Sequence, residues 1–296
     1  MDDKRLRERI KNAKSYIQDA ECLLIVAGAG MGIDSGLPDY RGPNGLWNTW
    51  HPSKQYNMTY EKLSTHEMFE TNIELAWGFQ TYLTKLYHEL EPHQGYINLL
   101  DIAKNKFNSN YFIITSNVDS QFLKSGFDIN KLYEVHGTKR LWQCMNKKCN
   151  SNNMPWLMDI KDLPNIVPTT LMASKPFPKC IYCGMNARPN VSFFSDFNFS
   201  EKITQIQSKK LYEWLETNKG KKMLIIEIGC GVSVHSIRFS MKNNQYTMLS
   251  NEWKLPKSFM SEEKTKMIRI NPDDFEEDGV LKIPLGAKQG IKMICS

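Results

Sequence analysis

The sequence predicts an α/β protein built on a doubly wound, mostly parallel sheet, with a small inserted module and a helical module beside it. Three observations carry this reading. Short apolar runs recur at 22–27 (CLLIVA), 111–115 (YFIIT), 132–135 (LYEV), 223–228 (MLIIEI) and 266–270 (KMIRI), apolar on both faces as buried parallel strands are. The intervals between them leave room for helical crossovers. Each run ends in glycine or polar residues, at the edge where open α/β sheets bind ligands.

The composition fits this architecture. A chain of 296 residues suits one large domain plus a smaller module. With 41% apolar and 11% aromatic residues it is not a disordered chain, and no apolar run is long enough to cross a bilayer. Asp2, Asp3, Lys4 and Arg5 are followed by an amphipathic pattern, not by the apolar core of a leader. An intracellular, cytoplasmic protein without a membrane partner is expected. The net charge of +6 is scattered over lysine pairs such as Lys147-Lys148 and Lys221-Lys222, with no stacking motif between them, so no specific nucleic-acid partner is expected.

Taken in order, Leu6, Ile10, Ala13, Ile17 and Ala20 recur at three- and four-residue steps and predict an amphipathic helix. The first strand runs into the glycine-rich loop 28–42. There Gly28 and Gly30 allow backbone amides close to a phosphate, and Gly32 extends the series. Position 33, where a dehydrogenase fingerprint needs its third glycine, is Ile33, and no acid follows between Asp39 and Glu61 to hold a ribose. A dinucleotide is therefore admissible and hydride transfer is not favoured. Residues 61–90 read as helical, with Met68, Phe69, Ile73, Leu75, Ala76 and Phe79 as core contacts. The second strand ends in Ser116, Asn117 and Asp119, the third in His136, and the fourth in Gly229, Cys230 and Gly231.

Between 138 and 190 prolines, asparagines and paired cysteines replace the strand–helix alternation. Cys144 and Cys149, then Cys180 and Cys183, supply two thiolate pairs that could close a tetrahedron around a structural zinc, with no position left for water. Cys22, Cys230 and Cys295 read as free thiols, which suits a reducing compartment. A histidine at a strand end is often only a satisfied side chain. His136 stands out because it shares a sheet edge with Asn117, Asp119 and the glycine loop, where a neutral imidazole can act as a general base. Asp119 could equally cap a helix.

In one order along the chain occur GAGMGIDSGLPDYRGPNGLW, TSNVD, EVHG, the paired cysteines, RPNVSFF and IGCG. That order resembles the sirtuins, NAD-dependent protein deacylases and ADP-ribosyltransferases, from about Ala20 to Asn271. The resemblance implies a Rossmann-like NAD-binding domain over 1–137 and 186–296, with a helical insertion at 43–92 and a zinc-ribbon module at 138–185. It implies that Gly28, Ala29 and Gly30 cradle the NAD phosphates and that Asp39, Tyr40 and Arg41 close over the nicotinamide half. Ser116, Asn117 and Asp119 would hold the ribose and nicotinamide end, with Asn117 also catalytic. Gly229, Gly231, Ser233, Asn251 and Asn271 would serve the rest of the cofactor, the last three its adenosine half. Val191, Ser192 and Phe193 would pair with an acylated-lysine protein or peptide as an added strand, and His136 would be the general base.

The implied reaction frees lysine and releases nicotinamide and O-acyl-ADP-ribose. Departures from the family pattern include Gly32 in place of serine, Ser116 in place of glutamine, and Phe194-Ser195-Asp196 in place of phenylalanine-glycine-glutamate. The segment 227–238, with LWQC at 141–144, resembles the macrodomain-linked, protein-ADP-ribosylating branch, although that branch generally lacks the histidine found here. Protein mono-ADP-ribosylation is therefore an alternative, and an NAD sensor or NAD hydrolase a further one. Positions that read acidic acyl groups in some relatives align with Gln80 and Leu83, which carry no cation. A neutral acyl group such as acetyl is the expectation.

Overall fold

A computed structural model describes residues 3–38, 55–149, 154–231, 237–242, 245–248, 264–272 and 277–296. The chain opens with α1 (Asp3–Asp19) and β1 (Cys22–Ala27). Then come α2 (Tyr60–Leu63), α3 (His66–Thr71), α4 (Ile73–Glu89) and α5 (Gln94–Asn105). These lead to β2 (Tyr111–Thr115), α6 (Gln121–Lys124), β3 (Leu132–Glu134), β4 (Gly137–Cys144), β5 (Trp156–Leu157) and β6 (Ala187–Val191). The last part holds α7 (Lys202–Thr217), β7 (Met223–Ile228), β8 (Phe239–Lys242), β9 (Gln245–Met248), β10 (Thr265–Ile270), β11 (Val280–Ile283) and α8 (Ala287–Cys295).

Six strands form one sheet in the order β11-β10-β7-β1-β2-β3, and every pairing in it is parallel. The order reverses between β1 and β7, so the switch point lies at their carboxyl ends. The unbroken apolar runs have a direct cause. Leu23, Ile25 and Ala27 face a core shared with α1, α5 and α8, whereas Leu24 and Val26 face a second core with Leu211 and Leu215 of α7. All five predicted strands are present, and β11 joins them at the edge.

Residues 61–90 are helical in three pieces. Thr59, Thr65 and Asn72 each accept an amide hydrogen three residues on, from Lys62, Met68 and Leu75, and so start three successive helices. A third core joins α4 to the antiparallel sheet β5-β4-β6. Trp77 meets Trp142 edge-on with centroids 5.5 Å apart, and Phe69 stacks on Phe193 at 5.7 Å. The helices and the small sheet thus form one lobe facing the switch point. No helix among the described residues is long and apolar enough to span a membrane.

Candidate active site

A cleft of about 1150 Å³ runs between the carboxyl ends of the parallel strands and the smaller lobe. At the switch point its wall is backbone against backbone. A Cβ on Gly28 would stand 2.6 Å from the carbonyl oxygen of Gly229, and one on Gly30 would stand 2.6 Å from the Gly229 Cα. Gly229 itself has φ +61°, the left-handed region that favours glycine. The Gly30 amide donates to Gly229 O at 3.0 Å, and the Gly28 amide donates to Ile228 O at 3.0 Å. These glycines are therefore required first by the contact between the β1 and β7 loops. The groove they leave is shaped for a ligand that approaches backbone closely.

Asn117 closes this end. Its Nδ2 donates to Gly28 O at 2.9 Å, its amide donates to Thr115 Oγ1 at 3.1 Å, and Thr115 Oγ1 donates to Ala27 O at 2.8 Å. Asn271, at the end of β10, donates from Nδ2 to Cys230 O at 3.1 Å. Behind the loop, His93 caps α5. Its Nδ1 accepts from the Gly95 amide at 2.9 Å, so Nε2 carries the proton and donates to Met31 O at 2.9 Å. Sequence reasoning passed over His93 because nothing local marks a histidine as the clamp of a loop sixty residues earlier.

His136 lies two residues past β3 and lines the cleft, half-buried. Desolvation lowers its pKa to about 4, so the imidazole is neutral at physiological pH. Its carbonyl accepts from the Ser192 amide at 2.9 Å, tying the histidine turn to the strand leaving β6.

The sequence-derived set divides as follows. Gly28, Ala29, Gly30, Ser116, Asn117, His136, Gly229, Gly231 and Asn271 line one cleft, together with Val191, Ser192 and Phe193. Asp39, Tyr40, Arg41, Ser233 and Asn251 lie outside the described residues. Asp119 does not line the cleft: its Oδ1 accepts from the Gln121 amide at 2.9 Å just before α6, and burial raises its pKa to about 6. Along 191–193 the amides of Ser192, Phe193 and Phe194 donate to His136 O, Asp196 Oδ2 and Ser64 O.

Asp196 explains part of the unusual Phe194-Ser195-Asp196 stretch. Fully buried Arg188 donates from Nη2 to Asp196 Oδ2 at 2.7 Å and from Nη1 to Val191 O at 3.1 Å, and its guanidinium lies over the Phe193 ring. Ser195 takes φ +52°, a conformation that costs a non-glycine residue about 1 kcal/mol. Within β7, buried Glu227 binds Arg269 Nε at 2.5 Å and accepts the Phe239 amide at 2.8 Å, while Arg238 donates to Cys230 O. This network anchors both ends of segment 227–238.

Cys144, Cys149, Cys180 and Cys183 bring their sulfurs within 4.8 Å of one another. The Cys144–Cys183 and Cys149–Cys180 separations are 3.5 and 3.6 Å, near the roughly 3.8 Å between sulfurs around a tetrahedral zinc. The amides of Asn146 and Tyr182 point at Cys144 Sγ and Cys180 Sγ, as they do toward thiolates. The donor set fits a structural zinc and closes its coordination.

The pattern of the Sir2 family matches residues 28–236, and the chain belongs to that family, the sirtuins. An NAD-dependent protein deacylase of Candida albicans is 27% identical over 69% of this chain and 74% of its own length. An NAD-dependent protein deacetylase of Caldanaerobacter subterraneus is 30% identical over 66% of this chain and 68% of its own. Among solved structures, a Sir2 homologue bound to NAD superposes with a TM-score of 0.64 at 19% identity, over 96% of this chain and 92% of that one, and shares the fold.

Proposed function

We propose that this chain is an NAD-dependent protein-lysine deacylase that acts on neutral acyl groups such as acetyl and releases nicotinamide and O-acyl-ADP-ribose. The observation that carries the reading is the neutral imidazole of His136 in the same cleft as the Gly28–Gly30/Gly229 groove. Membership of the Sir2 family and relatives named as deacylases and deacetylases support it.

The glycine groove would hold the pyrophosphate, and Ser116 and Asn117 the ribose at the nicotinamide end. Asn271 and Gly231 line the groove beyond Cys230 and suit the adenosine half. When bound, NAD supplies the ribose carbon that loses nicotinamide and receives the acyl oxygen. Fixing that ribose against Asn117, itself held by Gly28 O, gives the weakly nucleophilic amide oxygen its geometric advantage. His136 is poised to take a proton from a ribose hydroxyl, because its imidazole is unprotonated well below neutral pH. Val191, Ser192 and Phe193 would line the channel for the acylated lysine. The zinc would hold β4 against β6 and so set the position of that wall. Four reduced cysteines at one site are compatible with a reducing, cytoplasmic setting.

The test is incubation with NAD and an acetyl-lysine peptide, following every ADP-ribose product by mass spectrometry. Acyl-ADP-ribose should form in step with free peptide. His136→Ala should slow it about a hundredfold or more while NAD binding and the unfolding temperature hold. ADP-ribose left on protein, or released without acyl transfer, would overturn the reading.

A further inference from the structure

Away from the cleft, the described residues form a second concavity of about 640 Å³ between α5 and α8, on the side of the parallel sheet that carries α1. It shares no lining residue with the cleft. Two helices that pack closely present apolar side chains to each other. The inner stripes do so here, where Tyr96 and Leu99 of α5 share the first core with Ile291 and Ile294 of α8. The outer stripes do not. Gln94, Asn98 and Asp101 recur at four- and three-residue steps along α5, and Lys288, Lys292 and Cys295 do the same along α8. A stripe of amides and one acid thus faces a basic stripe across open space.

Lys288 and Lys292 stand one turn apart on one face of α8, an arrangement in which like charges repel. Both are exposed, and neither Nζ makes an ion pair or hydrogen bond among the described residues. Lys106, the third lysine at the groove, is already engaged with Ala20 O at 3.0 Å. We infer that this groove binds a small phosphate ester, its phosphate held between Lys288 and Lys292 and its hydroxyl-bearing body directed toward Asn98 and Asp101. A phosphate monoester carries a charge of about −1.5 to −2 at neutral pH, which matches two unpaired ammonium groups. A carboxylate would neutralise only one of them.

The rest of the groove suits the body of such a ligand. Its volume lies in the range of small-molecule sites. Asn98 Oδ1 accepts from Gln94 Nε2 at 3.1 Å, which leaves the Asn98 amide hydrogens as donors. Asp101 is the one acid side chain lining the groove and can accept from a hydroxyl. Ile102 and Cys295, both packed against the first core, give the apolar surface. Burial, and then Asp101, push the Cys295 thiol up to about 12, so it is a neutral wall and not a nucleophile. Lys288 also joins the groove to the cleft, because its amide donates at 2.8 Å to Asp34 Oδ2 and Asp34 lines the cleft. The site is defined by its own side chains and does not depend on acyl transfer.

The experiment uses pyridoxal 5′-phosphate, a phosphate ester whose aldehyde condenses with a nearby lysine amine to give an imine and water. Borohydride reduction fixes the adduct, and peptide mapping by mass spectrometry identifies the labelled lysine. At substoichiometric reagent, Lys288 or Lys292 should be labelled about tenfold or more above the other exposed lysines. Glycerol 3-phosphate should suppress that labelling, and glycerol should not. Calorimetry with glycerol 3-phosphate should show binding that the double variant Lys288→Gln/Lys292→Gln weakens about tenfold or more, with the unfolding temperature unchanged. Labelling spread evenly over exposed lysines overturns the inference. So does binding that survives both substitutions, which would belong to the cleft. Protection by inorganic phosphate equal to that by the ester also overturns it, because the groove would then read charge alone.

Discussion

The two ends of the cleft are made of different materials. At the switch point, Gly28, Gly30 and Gly229 press backbone on backbone, and Asn117 adds one short side chain bonded to a carbonyl. Toward the smaller lobe the wall consists of side chains from distant parts of the sequence: Gln80 on α4, Lys139 on β4, and Phe193 under the Arg188–Asp196 pair. Backbone contact leaves little freedom, since only glycine fits and any added atom collides. Side-chain contact leaves much more, because one cation or ring can replace another without moving the chain. The first end is thus suited to an invariant ligand, and the second is where substrate choice can change.

The largest test of this contrast is removal of the metal. Chelation, or Cys180→Ser, should uncouple β4 from β6 and abolish peptide turnover while the parallel sheet still melts cooperatively and binds NAD; circular dichroism, zinc release and calorimetry measure these separately. Loss of NAD binding in the same step would show that the two ends are one unit. Next comes Asp196→Asn, which leaves the buried Arg188 guanidinium without its counter-ion and should cost about 3–5 kcal/mol in denaturant unfolding. It should raise KM for peptide more than for NAD. Smaller, and opposite in location, is Gly229→Ala. Its φ of +61° and a Cβ 2.4 Å from the Gly30 carbonyl carbon predict a loss of about 2–4 kcal/mol, with NAD affinity falling more than peptide affinity.

The same contrast decides what could be read in the sequence. The parallel strands were legible because both faces of each are buried, so every residue in CLLIVA or MLIIEI is apolar. β11 was not, because an edge strand tolerates Lys282 in its middle. α7 was missed because its contact with the second core is a narrow stripe through Leu211 and Leu215 in an otherwise polar segment. In the site, Gly28, Asn117 and His136 each follow a legible strand by one or two residues, and strand position alone brings them together. Lys139 looked like any surface lysine. It stands between Thr138 and Arg140 in β4, and its bond to Gln80 spans fifty-nine residues.

The smallest effect lies behind the glycine end, at His93. Its Nδ1 must be unprotonated to accept the Gly95 amide, while Nε2–H holds Met31 O beneath the loop. Desolvation, the leading cause, lowers its pKa, opposed by the bond to Met31 O and the nearby Asp34. The folded state thus binds this proton less readily than the unfolded chain, where the histidine titrates near 6.5. The contribution is complete above that pH and is lost as pH falls through the lowered folded value. Asp119, raised to about 6, titrates over part of the same range with the opposite sign, so the wild-type curve alone would mix the two. A comparison with His93→Asn separates them, since asparagine can still cap α5 but cannot take up the proton. As pH falls below about 6.5 the wild type should lose more stability than this variant in urea unfolding, with a matching loss of NAD affinity and no change in peptide affinity. Parallel stability curves would show that the Met31 contact does not depend on the protonation of His93.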